Sequence, residues 1–156
     1  MTAQKKIIIH GSAVAIQIPH FKPAAVLLRG FSGRGKSDLA FRLITAGATL
    51  IGDDQVALER RQDKMIMAEA VPAIHGLLEV RGIGLIKCPV VMQPTPLRLV
   101  VDLVPREDVP RLPPKDETVD IIGIPITFLK LHAFDTSTPH KIIKAIELVH
   151  KPDLLV

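Results

Sequence analysis

The octapeptide Gly30-Phe-Ser-Gly-Arg-Gly35-Lys36-Ser37 constrains the fold of this chain more than any other feature. It satisfies G-x-x-x-x-G-K-[ST]. It follows the apolar run 25–29 and precedes 36–45, where Leu39, Ala40, Leu43 and Ile44 share one helical face. Strand, glycine-rich turn and helix in that order form a phosphate-binding loop. The glycines turn backbone N–H groups inward and the helix N-terminus adds partial positive charge, while Lys36 neutralises phosphate oxygens and Ser37 offers a hydroxyl to Mg²⁺. By composition, a chance match is expected in roughly one chain of this length in two hundred. With both flanks in place, Gly30, Phe31, Ser32, Gly33, Arg34, Gly35, Lys36 and Ser37 therefore read as a nucleoside triphosphate site.

Short Val/Ile/Leu-rich runs bounded by turn residues predict buried strands near 6–10, 13–18, 25–29, 48–51, 55–60, 64–69, 98–104 and 126–131. A second helix is predicted over 139–150, with Ile142, Ile143, Ile146 and Val149 on one stripe and Thr136, Ser137 and Thr138 as cap candidates. The first helix should end at Ala46-Gly47, where glycine takes the left-handed position. Between 105 and 117, Pro105, Pro110, Pro113 and Pro114 stand among charged residues, which excludes a central strand or a helix and predicts a surface loop. At 156 residues the chain is one domain's length. One helix inserted between two strands, with hairpins elsewhere, predicts a single α/β domain with a mixed, largely antiparallel sheet.

Aromatic residues make up 3% of the chain, with five Phe and no Trp or Tyr. The stacking platforms of a single-stranded nucleic-acid binder are therefore nearly absent. The net charge of +4 comes from scattered residues, which suits phosphates and indicates no nucleic-acid footprint. No apolar run approaches the roughly 20 residues that span a bilayer. The one cysteine, Cys88, permits no internal disulfide, which suits a reducing, cytoplasmic setting. His20, His75, His132, His140 and His150 show no metal-ligand spacing with a carboxylate or with Cys88.

Two carboxylate sets could serve the γ-phosphate. Asp102, in the apolar run 97–104, stands where an ordinary P-loop ATPase or GTPase places a Mg²⁺-associated carboxylate, although the strand continues beyond it. Asp53-Asp54 follows the strand that returns from the P-loop helix, and Gly52 there allows a close approach to the loop. One of the pair could hold Mg²⁺ while the other accepts a proton from an attacking hydroxyl. A P-loop NTPase or small-molecule kinase using Asp102, a kinase using the Asp pair, and a non-catalytic nucleotide-sensing module all remain open on these residues.

Four separated segments together resemble one family, the HPr kinase/phosphorylases. His10-Gly11 is similar to the family's His-Gly ahead of the P-loop, and 30–37 to its Gly-x-Ser-Gly-x-Gly-Lys-Ser. Ile51-Gly-Asp53-Asp54-Gln-Val56 resembles its hydrophobic-x-Asp-Asp-x-Val, and Leu78-Glu79-Val-Arg81-Gly82-Ile-Gly84 its Leu-Glu-x-Arg-Gly-hydrophobic-Gly signature. The likeness runs from about His10 to Leu103 and then fades.

The resemblance implies a P-loop kinase domain of the phosphoenolpyruvate-carboxykinase-like kind, using ATP and Mg²⁺ to phosphorylate a serine of HPr or an HPr-like phosphocarrier. It implies Asp54 as proton acceptor with His10 as its electrostatic partner, Lys36 on the transferring phosphate, and Ser37 and Glu79 as magnesium ligands. Asp53, Arg81, Gly82 and Gly84 are carried over as signature residues. The spacing agrees, since Asp54 lies 17 and Glu79 lies 42 residues past Ser37. The family's N-terminal domain has no counterpart in these residues, which implies the catalytic domain alone, assembled as a hexamer by the same resemblance. The family's Pro-Gly-Arg-Asn-like segment after an Ile-Pro-Val strand is matched by 124–132, which contains no arginine, so phosphorylase activity is expected to be weak or absent.

Overall fold

A computed structural model describes residues 5–156, and within them the aliphatic runs form eleven strands and two α-helices. Before the phosphate loop come β1 (Lys5–His10), β2 (Ser12–Ile16) and β3 (Ala24–Arg29). The loop leads into α1 (Lys36–Thr45), followed by β4 (Thr49–Gly52), β5 (Gln55–Arg60) and β6 (Ile66–Ala70). A separate hairpin, β7 (Leu77–Val80) and β8 (Gly84–Lys87), precedes the long β9 (Thr95–Leu103). The chain continues through β10 (Thr118–Ile121), β11 (Ile124–Leu131) and α2 (Thr138–His150).

Nine strands form one mixed sheet, in which parallel pairing is confined to β3/β9 and β9/β11. The other ladders among the described residues are antiparallel, as expected from the hairpin-rich sequence. The sheet folds over itself through β9. Its first residues pair with β6 beside β5 and β1, and the rest of the strand runs between β3 and β11. A register shift opposite Ala25/Val26 marks the change, and there Arg98 is extruded to solvent between buried Leu97 and Leu99. An extra residue bends a strand and flips its facing pattern, so Leu97 and Leu99 join opposite cores.

The result is three layers. Val26, Leu28, Leu99, Val101 and Leu103 pack against Leu39 and Leu43 of α1 and Ile142 and Ile146 of α2. On the other face, Ala25, Leu27 and Val100 meet Val56, Leu58, Ile66 and Ala68 of the folded-over strands. Strands buried on both faces read as unbroken apolar runs, which is how β3 appears in sequence.

The α1 terminus behaves as expected, with Gly47 at φ 110° after the Ala46 cap. At α2 the expected side-chain cap is not made. Ser137 caps without a side-chain bond, and the Thr138 hydroxyl instead donates to the His132 carbonyl, where it ties down the preceding loop. Residues 104–117 carry one short 3-10 turn, Arg106–Asp108, in an otherwise exposed loop. Strands β7, β8 and β10 were not among those predicted. Each is four residues long with at most two buried positions, too short for alternation to stand out.

Candidate active site

Strand polarity brings the chemistry to one edge of the sheet. β3, β9 and β11 are parallel, while β2 is antiparallel to both β3 and β4. The carboxyl ends of β4, β3, β9 and β11 therefore emerge beside the amino end of β2. Along the edge lie the Asp53-Asp54 turn, the His10-Gly11-Ser12 junction, the phosphate loop, Val104, and the loop 132–137. Ligands of open α/β sheets bind at such carboxyl ends.

In the phosphate loop Gly33 and Gly35 hold φ of 85° and 90°, a left-handed geometry that glycine adopts without steric cost. Lys36 is buried, and its ammonium donates to the carbonyls of Gly30 (2.6 Å) and Phe31 (3.2 Å). An ammonium has three N–H donors, so one is left for a phosphate oxygen. Ser32, Gly33, Gly35, Lys36 and Ser37 line a cleft of about 560 Å³. Gly30, Phe31 and Arg34 do not line it. Gly30 serves through its carbonyl, the Arg34 stem packs against Gly30, and the Phe31 ring is 80% exposed.

The two aspartates face different surroundings. Asp53 is buried, and its Oδ1 accepts from both Ser12 Oγ (2.7 Å) and Ser37 Oγ (2.8 Å). Committing the Ser37 hydrogen to Asp53 leaves the oxygen lone pairs to face a cation, the orientation a metal ligand needs. On sequence, Asp53 is one of a pair of which either could hold Mg²⁺, and a signature residue of the resemblance, while Ser12 is missed. The available signal was a serine heading a strand that is otherwise apolar.

Asp54, by contrast, faces outward. It sits at φ 69°, a conformation Asp tolerates better than most residues, and its carboxylate lies 3.2 Å from His10 Nδ1. The side chains are 72% and 60% exposed, respectively. Their backbones are also linked, because the Gly11 N–H donates to the Asp54 carbonyl (3.0 Å). A Cβ on Gly11 would stand 2.8 Å from the Leu28 carbonyl oxygen. Gly52 has a similar constraint, but with the Gln55 carbonyl at 2.8 Å; its closeness serves its own turn, not the phosphate loop as expected from sequence.

Glu79 and Arg81 reach the same cleft from the β7–β8 hairpin. Strand alternation turns Leu78 and Val80 inward onto Leu50, Phe41 and Ile44, which leaves Glu79 exposed. Gly82 (φ 90°) and Gly84 (φ 129°) have open space around them and serve the turn by conformation alone. His10, Lys36, Ser37, Asp54, Glu79 and Arg81, picked from four segments of sequence, thus share one cleft.

Asp102 is placed differently. It is the cross-strand neighbour of Arg29, whose Nε (2.7 Å) and Nη2 (3.2 Å) hold one carboxylate oxygen each. A carboxylate chelated by guanidinium and absent from the cleft lining is not disposed as a magnesium ligand. Among the described residues no three His, Cys, Asp or Glu side chains gather into a metal cage. Ser37 and Glu79 offer hard oxygen donors of the kind Mg²⁺ takes together with substrate phosphates, so the donor set fits that ion.

The HPr Serine kinase C-terminal domain family model matches residues 2–153, well past Leu103 where the motif likeness fades. HPr kinase/phosphorylases of Burkholderia cenocepacia and Paraburkholderia phymatum are each 40% identical over 110 residues, 65% of this chain and 34% of the relative. The chain spans about a third of the length of these curated relatives. The structure of the Hpr(Ser) kinase/phosphatase from Coxiella burnetii superposes with a TM-score of 0.77, covering 95% of this chain and 92% of that one. At 23% identity that likeness speaks for the fold, a P-loop kinase-like α/β domain. With the family model spanning nearly every residue from β1 through α2, the chain belongs to the HPr serine kinase C-terminal domain family.

Proposed function

We propose that this chain is the catalytic domain of an ATP- and Mg²⁺-dependent protein serine kinase acting on HPr or an HPr-like phosphocarrier. The observation that carries the reading is the Asp54–His10 pair, mostly exposed at the rim of a cleft that also holds the phosphate loop. A proton acceptor at an open rim suits a hydroxyl on a folded protein, which has to be met at the surface.

In this mechanism the loop N–H groups and Lys36 bind the β- and γ-phosphates and stabilise charge as it develops on the transferring group. Ser37, steadied by Asp53, and Glu79 would hold a magnesium ion, which would supply neutralisation of phosphate charge. Asp54 takes the proton from the target serine hydroxyl as it attacks in line, and His10 holds the carboxylate toward it. Arg81 is left as an exposed cation of the hairpin facing the phosphates.

The reverse reaction is proposed to be weak or absent, because 124–132 carries no arginine. Assembly as a hexamer and a cytoplasmic setting belong to the same proposal. No helix of the described residues is long and apolar enough to cross a membrane. The test incubates the chain with γ-labelled ATP, magnesium and purified HPr. Label on an HPr serine is expected, and no label at any magnesium concentration overturns the reading.

A further inference from the structure

Phe134 lines the cleft but has no part in the chemistry above. The residues that line it come from the β1 and β4 ends, the phosphate loop, α1 and the β7–β8 hairpin, with a single exception: Phe134 comes from beyond β9, in the loop after β11. Along the sheet edge, the phosphate loop separates Phe134 from Asp54 and His10. A triphosphate whose γ end lies at Asp54 and whose β-phosphate lies in the loop carries its nucleoside toward the Phe134 side.

The ring is large, apolar and 56% exposed, yet it is firmly held. Its tip packs on Gly35, where an added Cβ would lie 2.8 Å from the ring. His132 meets it edge to face at 5.8 Å between centroids, and His132 Nδ1 is itself 3.0 Å from the Val104 carbonyl. The short loop is tied further by Arg42, which donates to the carbonyls of Ala133 and Asp135, and by Arg106 on the Asp135 carboxylate. Anchoring the backbone on either side of a mostly exposed phenyl ring pre-organises a flat apolar face at the cleft mouth. Of the other phenylalanines, Phe21 stacks on His150, Phe128 is buried, Phe31 lies outside the cleft lining, and Phe41 packs against the hairpin on the carboxylate flank.

We propose that Phe134 is the platform of a nucleobase subsite, on which the base of the bound nucleoside triphosphate stacks. The proposal rests on the nucleotide-binding reading above. Stacking uses a π-face that every base presents, so the subsite strengthens binding without selecting strongly between adenine and guanine.

The natural chain contains no Trp or Tyr, so Phe134→Trp introduces a lone indole. Its emission is expected to change on adding Mg-ATP and to stay constant on adding Mg-tripolyphosphate, which has no base. By calorimetry, Phe134→Ala should weaken ATP binding roughly 5- to 150-fold, the range for loss of one base–aromatic stack. Tripolyphosphate affinity should stay at the wild-type value, and Phe134→Trp should keep wild-type ATP affinity. If Phe134→Ala binds ATP as wild type does, the subsite is refuted while the phosphate site stands. Equal losses for both ligands show that the ring merely supports Gly35 and also overturn the proposal. Wild-type protein that binds neither ligand defeats the nucleotide reading, and the subsite with it.

Discussion

At the scale of single residues, adjacent aspartates face opposite ways because the backbone turns between them. Asp53 points into the protein onto Ser12 and Ser37, and Asp54, at positive φ, points out toward His10. Asp53→Ala is expected to leave Ser37 free to rotate, and so to raise the magnesium concentration needed for tight nucleotide binding. A nucleotide titration at several magnesium levels reads this directly. Gly11→Ala forces a Cβ against the Leu28 carbonyl and should cost about 1–3 kcal/mol of stability in a denaturant melt, the usual penalty for overpacking. His150 gives a pH prediction. Burial, with the nearby Arg98 charge second, pushes its imidazole below the ordinary 6.5, and its Nε2 is buried without a hydrogen-bond partner among the described residues. The unfolded chain therefore takes up this proton at higher pH than the folded one, so the contribution is present above 6.5 and is lost as pH falls toward the folded value. His150→Phe, which can keep a ring against Phe21, should flatten that part of the melting-temperature profile.

At the scale of elements, the hairpin β7–β8 is the least obvious part of the site and has much of its effect through packing. Leu78 is fully buried against α1 and β4, and it fixes where Glu79 points. Leu78→Ala should cost about 2–5 kcal/mol in a melt and raise the magnesium requirement, whereas a comparable cut at Ile146 under α2 should cost stability alone. What was legible beforehand follows from periodicity. β3, α1 and α2 carry long apolar patterns and appear where expected, with ends shifted by a residue or so. The hairpin and β10 are too short to show alternation, and no local pattern reveals that β9 changes partners at Arg98. The site was legible in its motifs, because a phosphate loop needs a fixed spacing. Ser12, the Arg29 clamp on Asp102 and the Phe134 platform were not, since each depends on strands or loops distant in sequence coming together.

At the scale of the whole molecule, sheet polarity explains why segments from His10 to Phe134 meet. Parallel β3, β9 and β11, and β4 reached through antiparallel β2, all deliver their carboxyl ends to one side. Asp54 and His10 then lie on one flank of the phosphate loop and Phe134 on the other, leaving the rim beside Asp54 open. The central claim is that Asp54 accepts the proton of an incoming serine at this rim, and the direct measurement is single-turnover transfer from Mg-ATP to HPr by wild type and by Asp54→Asn. The account predicts a loss of about 10²- to 10⁴-fold in transfer rate, the scale of general-base catalysis, with nucleotide affinity unchanged. Transfer by Asp54→Asn at the wild-type rate would contradict it.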